Sequence, residues 1–382
     1  MRAMHRPTRR PWRRSVVSLG AAALLLGAAA CGGDDGDGGD SSGGAQSDEI
    51  SEQGEPVSGG TIEVGLEAET NSWLPGEGSF GNPGTTVAYA IYDPLIKRSE
   101  DGELQPYLAE SMEPNEDLSQ WTLTLRPDVL FHDGTPLNAQ ALKTIFDTYL
   151  TAPTSNVATT LAEVTSLEVV DDLTVRYVLE GPNAAFPDVL TLAPGWPFSP
   201  TAAARFGPDA GANPVGTGPF RFVSWQRDSA LEVERNEDYW QEGLPYLDGI
   251  TFRPIPDEDT RLASLQSGDI HALQTLRQST VARAREFDGV DNYEFLGNNS
   301  GVSLINTSRP PFDDVRVRQA LAYSIDQPAL IDVLGGTGLT PDATQYFSPD
   351  SPYYSEKAAE AYPTYDVERA QELYDDYIND PE

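Results

Sequence analysis

Cysteine is all but absent from this chain of 382 residues: Cys31 stands alone, so no intrachain disulfide can form and the fold must be held by packing. Histidine and methionine are nearly as scarce, with three of each. No His-Glu-x-x-His pair, phosphate loop or dinucleotide glycine pattern occurs. His132 and His271 are isolated, each without the second ligand or spaced carboxylate that a metal site or a general base requires. No metal, cofactor or catalytic residue is therefore expected, and an enzyme is disfavoured. Positive charge is also short, with 25 Lys and Arg against 60 Asp and Glu. Six of the arginines lie before residue 15, and without them 19 basic side chains face 60 acidic ones, a balance near −41. A body of that sign repels phosphate backbones, which excludes nucleic acid as a partner.

Long apolar runs are missing with one exception, Val16 to Ala30 (VVSLGAAALLLGAAA), which follows those arginines and precedes Cys31-Gly32-Gly33. The run is too short to span a bilayer comfortably, and its basic, apolar, small-residue order is that of an export signal. Residues 1–30 read as a lipoprotein signal peptide and Cys31 as the lipobox cysteine, acylated and left as the new N-terminus. Ala28 stands where the lipobox prefers Leu, and Arg13-Arg14 half-matches a twin-arginine signal. The protein is expected to be exported and anchored by lipidated Cys31 to the outer face of the cell membrane. Residues 31–59 are Gly, Ser, Asp and Glu with almost nothing apolar, a composition that cannot offset the entropy of ordering and reads as an acidic tether. A Gly39-Asp40-Ser41-Ser42-Gly43 string there spells a serine-nucleophile pattern, but it has no strand, helix or nearby histidine to support that chemistry.

The ordered body mixes strands and helices. Thr61-Ile62-Glu63-Val64-Gly65-Leu66 alternates with period two and predicts a strand, as do Trp121, Leu123 and Leu125 between threonines. Phe131-His132-Asp133-Gly134 predicts a turn, and Asn138 a cap for a helix with Ala141, Leu142, Ile145, Phe146 and Tyr149 on one face. Phe220, Phe222, Leu231 and Val233 suggest a hairpin, and Val302-Ser303-Leu304-Ile305 a further strand. Asp313 or Asp314 can cap a helix through Val317, Ala320 and Leu321, and Asp366 a last one carrying Ala370, Leu373, Tyr374, Tyr377 and Ile378. Gly216 and Gly218 suggest positive φ or close backbone approach, and Trp121, Phe220, Tyr239 and Trp240 suggest core.

Three blocks carry a resemblance. They are Leu108-Ala109-Glu110-Ser111 with Trp121 to Leu137 (WTLTLRPDVLFHDGTPL), Gly216-Thr217-Gly218-Pro219-Phe220 with Arg235-Asn236-Glu237-Asp238-Tyr239-Trp240, and Asn306 with Arg309 to Leu321 (RPPFDDVRVRQAL). In this order they resemble the family 5 bacterial extracellular solute-binding proteins, over roughly residues 60–380. The resemblance implies an α/β, periplasmic-binding-protein-like fold of type II, with two hinged lobes plus an extra inserted domain. Residues 60–95 with 193–270 would form domain I, 96–192 the inserted domain II, and 271–382 part of domain III. Family members continue beyond the last helix, so the second lobe is expected to be incomplete, with the aspartate that meets a peptide's amino terminus matched by no position here.

The resemblance further implies an extracytoplasmic receptor of an ABC importer, working with membrane permease and ATPase subunits. Its solute would be an oligopeptide or dipeptide. A metal chelate, an oligosaccharide or an opine is the alternative solute, an inactive truncated remnant another reading, and a tethered hydrolase the reading from a different class. Solute contacts are expected at Phe80, Gly81 and Asn82, at Gln274 and Thr275, and at Asn299 and Ser300, where family receptors line their cleft and where amides suit an extended main chain.

Overall fold

The computed structural model describes residues 56–99, 102–294, 302–349, 351 and 353–380. The leader, Cys31 and most of the tether, as well as Asn299 and Ser300, lie outside the described residues.

From its start the chain forms β1 (Thr61–Leu66), α1 (Asn82–Ile91), β2 (Ile96–Arg98), β3 (Leu104–Pro106), β4 (Ala109–Pro114), β5 (Gln120–Leu125), α2 (Ala139–Thr151), β6 (Val164–Val169) and β7 (Thr174–Leu179). It continues through the short helices α3 (Phe186–Val189) and α4 (Pro200–Phe206) into β8 (Phe220–Gln226), β9 (Ala230–Arg235) and β10 (Gly249–Pro254). After these come α5 (Glu258–Ser267), β11 (Ala272–Leu273), α6 (Gln278–Ala284), α7 (Val315–Tyr323), α8 (Gln327–Val333), α9 (Glu356–Glu360) and α10 (Val367–Asn379).

Two sheets organise the first two thirds. One runs β11-β1-β10-β9-β8, with β1 parallel to both β10 and β11 and the rest antiparallel. The other is antiparallel throughout, β4-β5-β7-β6, and all of it is inserted between β1 and β10. Its alternation is plain: Trp121, Leu123 and Leu125 of β5 and Val175, Tyr177 and Leu179 of β7 are buried while their neighbours face outward. α2 covers β6 and β7 with Leu142, Ile145, Phe146 and Tyr149, side chains each worth about 1.5–3 kcal/mol when fully buried. Asn138 caps that helix by accepting from the amide of Ala141 at 2.9 Å.

The first two signature blocks meet at the end of α1. Gly218 donates its amide to the carbonyl of Ile91 at 2.9 Å, and the amide of His132 donates to the carbonyl of Gly216 at 2.8 Å. Neither glycine has positive φ, so close approach, and not a left-handed turn, is what requires them. Trp121 and Phe220 are buried as core. Tyr239 and Trp240 are only half-buried, and they turn their polar ends onto Asp93 at 3.1 and 2.8 Å.

Beyond residue 275 the packing is thinner. Asp314 caps α7, Asp366 caps α10, and Arg316 joins the two helices by donating to the carbonyl of Asp380 at 2.7 Å. Val317, Ala320, Ala370 and Leu373 form their buried seam, whereas Tyr374 and Ile378 of the same apolar stripe are exposed. The strand expected at Val302 to Ile305 is not present: the segment has no regular structure and Leu304 is 95 % exposed. Alternating residues become a strand only with a neighbour to pair with, and among the described residues this segment has none.

Candidate functional site

The parallel strands β1, β10 and β11 end at one edge of their sheet, at Leu66, Pro254 and Leu273. In open α/β sheets ligands bind outside the carboxyl ends of such strands. The loop after β1 is held by its own polar groups. Glu69 accepts from the indole of Trp225 at 2.6 Å and from the amide of Asp228 at 3.1 Å, Thr70 donates to the carbonyl of Ser79 at 3.2 Å, and the amide of Ser79 donates to Asn71 at 3.1 Å. Phe80 leaves this loop into an aromatic cluster, its ring centroid 5.4 Å from Trp196 and 6.5 Å from Trp73. Gly81 and Asn82 are exposed at the start of α1, where no side chain caps the helix. The amide of Gly81 donates to the carbonyl of Ser79 at 3.0 Å and Pro83 has no N–H, so it is the exposed Asn82 that can offer an amide to a carbonyl or carboxylate.

Gln274 and Thr275 follow β11 at the same edge. Thr275 donates to Oε1 of Glu67, the residue directly after β1, and the same oxygen lies 3.2 Å from Nη2 of Arg261. Oε1 of Gln274 is buried without a partner among the described residues. Thus the structure joins Gln274 and Thr275 to the end of β1, while among the described residues no hydrogen bond links them to Phe80, Gly81 or Asn82. Glu67 and Arg261 were not singled out from the sequence. The available signals were a carboxylate directly after a buried strand end and an arginine amid the apolar residues of α5.

A polar cavity of about 250 Å³ lies elsewhere, lined by Leu130, Phe131, His132, Asp133, Gly134, Arg221, Asn236 and Asp238 from the first two signature blocks. Burial lowers the His132 imidazole to about 4, so it is neutral near pH 7. Its Nε2 contacts the carbonyl of Gly218 at 2.9 Å and its Nδ1 accepts from the amide of Gly216 at 3.4 Å. Both nitrogens face backbone, an arrangement that stitches loops together. Asp133 lies below the usual carboxylate range, despite partial burial, because Ser199 and Thr135 donate to it.

The profile of the family described as bacterial extracellular solute-binding proteins, family 5 middle, matches residues 103–378. Glutathione-binding protein GsiB of Pectobacterium atrosepticum is 35 % identical over 260 residues, covering 67 % of this chain and 50 % of that protein. GsiB of Shigella flexneri is 33 % identical over 296 residues, covering 75 % and 56 %. The chain thus spans about half the length of the curated relatives it matches. Among solved structures, the periplasmic binding protein DppA of Helicobacter pylori in complex with the peptide STSA superposes with a TM-score of 0.73 at 25 % identity, over 84 % of this chain and 66 % of that one. AgaA of A. tumefaciens R10 in complex with agropinic acid also gives 0.73, at 30 % identity over 84 % and 65 %. The fold is that of the periplasmic binding proteins, consistent with type II.

Proposed function

This chain belongs to the family 5 bacterial extracellular solute-binding proteins, and on that premise we propose that it is the extracytoplasmic receptor of an ABC importer for peptides, handing them to a membrane permease driven by its ATPase subunits. The observation that carries the reading is the common edge where β1, β10 and β11 end, with Gln274 and Thr275 on one side and the exposed start of α1 at Gly81 and Asn82 following the β1 loop. The exposed backbone amide of Asn82 and the side-chain amides of Asn82 and Gln274 suit the alternating donors and acceptors of an extended peptide. Phe80 contributes by shaping the wall; Asn299 and Ser300, expected as further contacts, lie outside the described residues. The receptor binds its solute and leaves it chemically unchanged. Domain I is taken as residues 60–95 with 193–270, and the pairing of Ala272 and Leu273 with β1 supports extending it by a few residues. Domain II comprises 96–192, and the remainder belongs to the second lobe.

The test is a thermal melt of the full chain with a pool of di- to pentapeptides, with glutathione, and with agropinic acid in parallel. A solute at a hundred times its Kd adds about 2.7 kcal/mol, enough to raise Tm by several degrees. A rise with peptides or glutathione supports the reading; a rise with agropinic acid alone replaces the peptide by an opine.

Lipid anchoring through Cys31 belongs to the same proposal. Replacing Cys31 by Ser should move the protein from the membrane fraction into the medium or periplasm, measured by fractionation and immunoblot. Full membrane retention of the variant would remove the anchor from the reading.

A further inference from the structure

Arg261 is 0 % exposed, and what it holds is the edge where the parallel strands end. Its Nη1 donates at 2.6 Å to the carbonyl of Ile255, just after β10, and its Nη2 lies 3.2 Å from Oε1 of Glu67, just after β1. The hydroxyl of Thr275, two residues after β11, donates to the same oxygen and accepts the amide of Arg277 at 3.0 Å. Gly65 makes room for the arrangement, since a Cβ there would come 3.3 Å from Cγ of Arg261 and 2.6 Å from Cδ1 of Ile270.

The two Nη groups are served by a carbonyl and a carboxylate, and the buried Nε has no partner among the described residues; the Thr275 hydroxyl donates to Glu67 and so satisfies none of the guanidinium. The dependence runs the other way. From Gln274 to Arg277 the chain has little apolar anchorage: Gln274 and Thr275 are half-buried, and Leu276 and Arg277 are exposed. At its far end the segment is tied to α6, whose Thr280 and Val281 amides donate to the carbonyl of Arg277, and Arg277 lies 3.9 Å from Glu258; at the strand end it is held by the bond from Thr275 to Glu67, which Arg261 orients.

We propose that Glu67 is a positioning residue of the solute cleft, acting through Thr275 to hold the segment Gln274 to Arg277, with Arg261 orienting the carboxylate. The inference rests on the reading of Gln274 and Thr275 as solute contacts.

The test uses the full chain as wild type, Glu67→Ala alone and with Arg261→Met, Glu67→Gln and Thr275→Val. The first readout needs no solute: hydrogen exchange at the Arg277 amide. The second is affinity for whichever of the peptide pool, glutathione or agropinic acid shifts the wild type. Glu67→Ala should speed the exchange and weaken affinity about tenfold each, the worth of roughly one hydrogen bond. Glu67→Gln keeps Oε1 as an acceptor and should stay near wild type in both. Thr275→Val removes the acceptor of the Arg277 amide itself and so sets the ceiling for faster exchange; because Glu67→Ala strands a buried guanidinium and can fail to fold, Glu67→Ala combined with Arg261→Met provides the second route and should approach that ceiling while still melting cooperatively. Unchanged exchange in Glu67→Ala, or in Glu67→Ala with Arg261→Met where the single variant does not fold, overturns the proposal. So does a Glu67→Gln that loses solute as fully as Glu67→Ala, because charge and not position is then being read. If the wild type binds none of the three solutes, the receptor reading fails, while the exchange readout still decides whether Glu67 holds the segment.

Discussion

Alanine at Gly216 should destabilise the protein by about 4 kcal/mol, the sum of an overpacked contact and a lost backbone hydrogen bond. A Cβ there would stand 2.1 Å from the carbonyl oxygen of Ile91 and 2.5 Å from Cδ1 of Tyr92, and at the neighbouring Gly218 it would stand 2.5 Å from the carbonyl carbon of Ile91. Backbone atoms at the end of a buried helix cannot rotate aside as a side-chain tip can. Relief therefore means pulling α1 away from β8 and breaking the bond from the amide of Gly218 to Ile91. Gly134 is the control: it has positive φ and open space around its missing Cβ, so alanine there should cost only the left-handed penalty, about 1–2 kcal/mol. The comparison is made by denaturant unfolding, reading the midpoint at unchanged slope. A Gly216→Ala variant no less stable than Gly134→Ala would mean that α1 and β8 are not packed as described.

The second large effect is in pH dependence. Asp93 is 3 % exposed, and its hydrogen-bond partners are the neutral donors Tyr239 and Trp240. Burial pushes its carboxyl up from 3.8 to about 7, against the downward pull of those two bonds. Nearby cations lie over rings, Arg126 over Trp240 and Lys97 over Tyr107. A folded value above the unfolded one means that the folded state holds the proton more tightly. Stability from this group is therefore fully present below about pH 4 and is lost as pH rises through 7. The loss is on the order of 4 kcal/mol.

Asp133, Asp248, Asp257 and Asp314 are shifted downward by their hydrogen bonds and act with the opposite sign, losing stability as pH falls. They are common to wild type and an Asp93→Asn variant, so the difference between the two isolates Asp93. Asn keeps an acceptor for the indole of Trp240, and Tyr239 can donate to Tyr107, 3.3 Å away, instead. Wild type should lose stability relative to Asp93→Asn between pH 4 and 8, by denaturant unfolding at each pH. Parallel curves would show that Asp93 ionises in the folded protein as it does in the unfolded chain.

Much of the local structure was legible in the residues. Asn138, Asp314 and Asp366 cap the helices they precede, because a cap is a bond between groups three residues apart or fewer. β1 and β5 follow from alternation, and the three signature blocks identified the family. The candidate site was less legible. Asp93, in a Tyr-Asp-Pro-Leu string, looks like an ordinary turn residue, yet it is buried by side chains from beyond β9. Glu67 and Thr275 show no sign of each other in the sequence, and Val302 to Ile305 has the pattern of a strand without the neighbour that would make it one.

The division follows from range. Periodicity, caps, charge balance and the absence of paired cysteines are properties of short stretches or of composition, so the sequence by itself determined the capped helices, the strands β1 and β5, the acidic balance and the family. Only the tertiary structure decided that Gly216 and Gly218 must be glycine to meet Ile91, that Asp93 is enclosed by Tyr239 and Trp240, and that Arg261 gathers three strand ends through Glu67. Those facts depend on groups far apart in the chain being brought within a few ångströms, and such distances are set by how the sheets and helices pack.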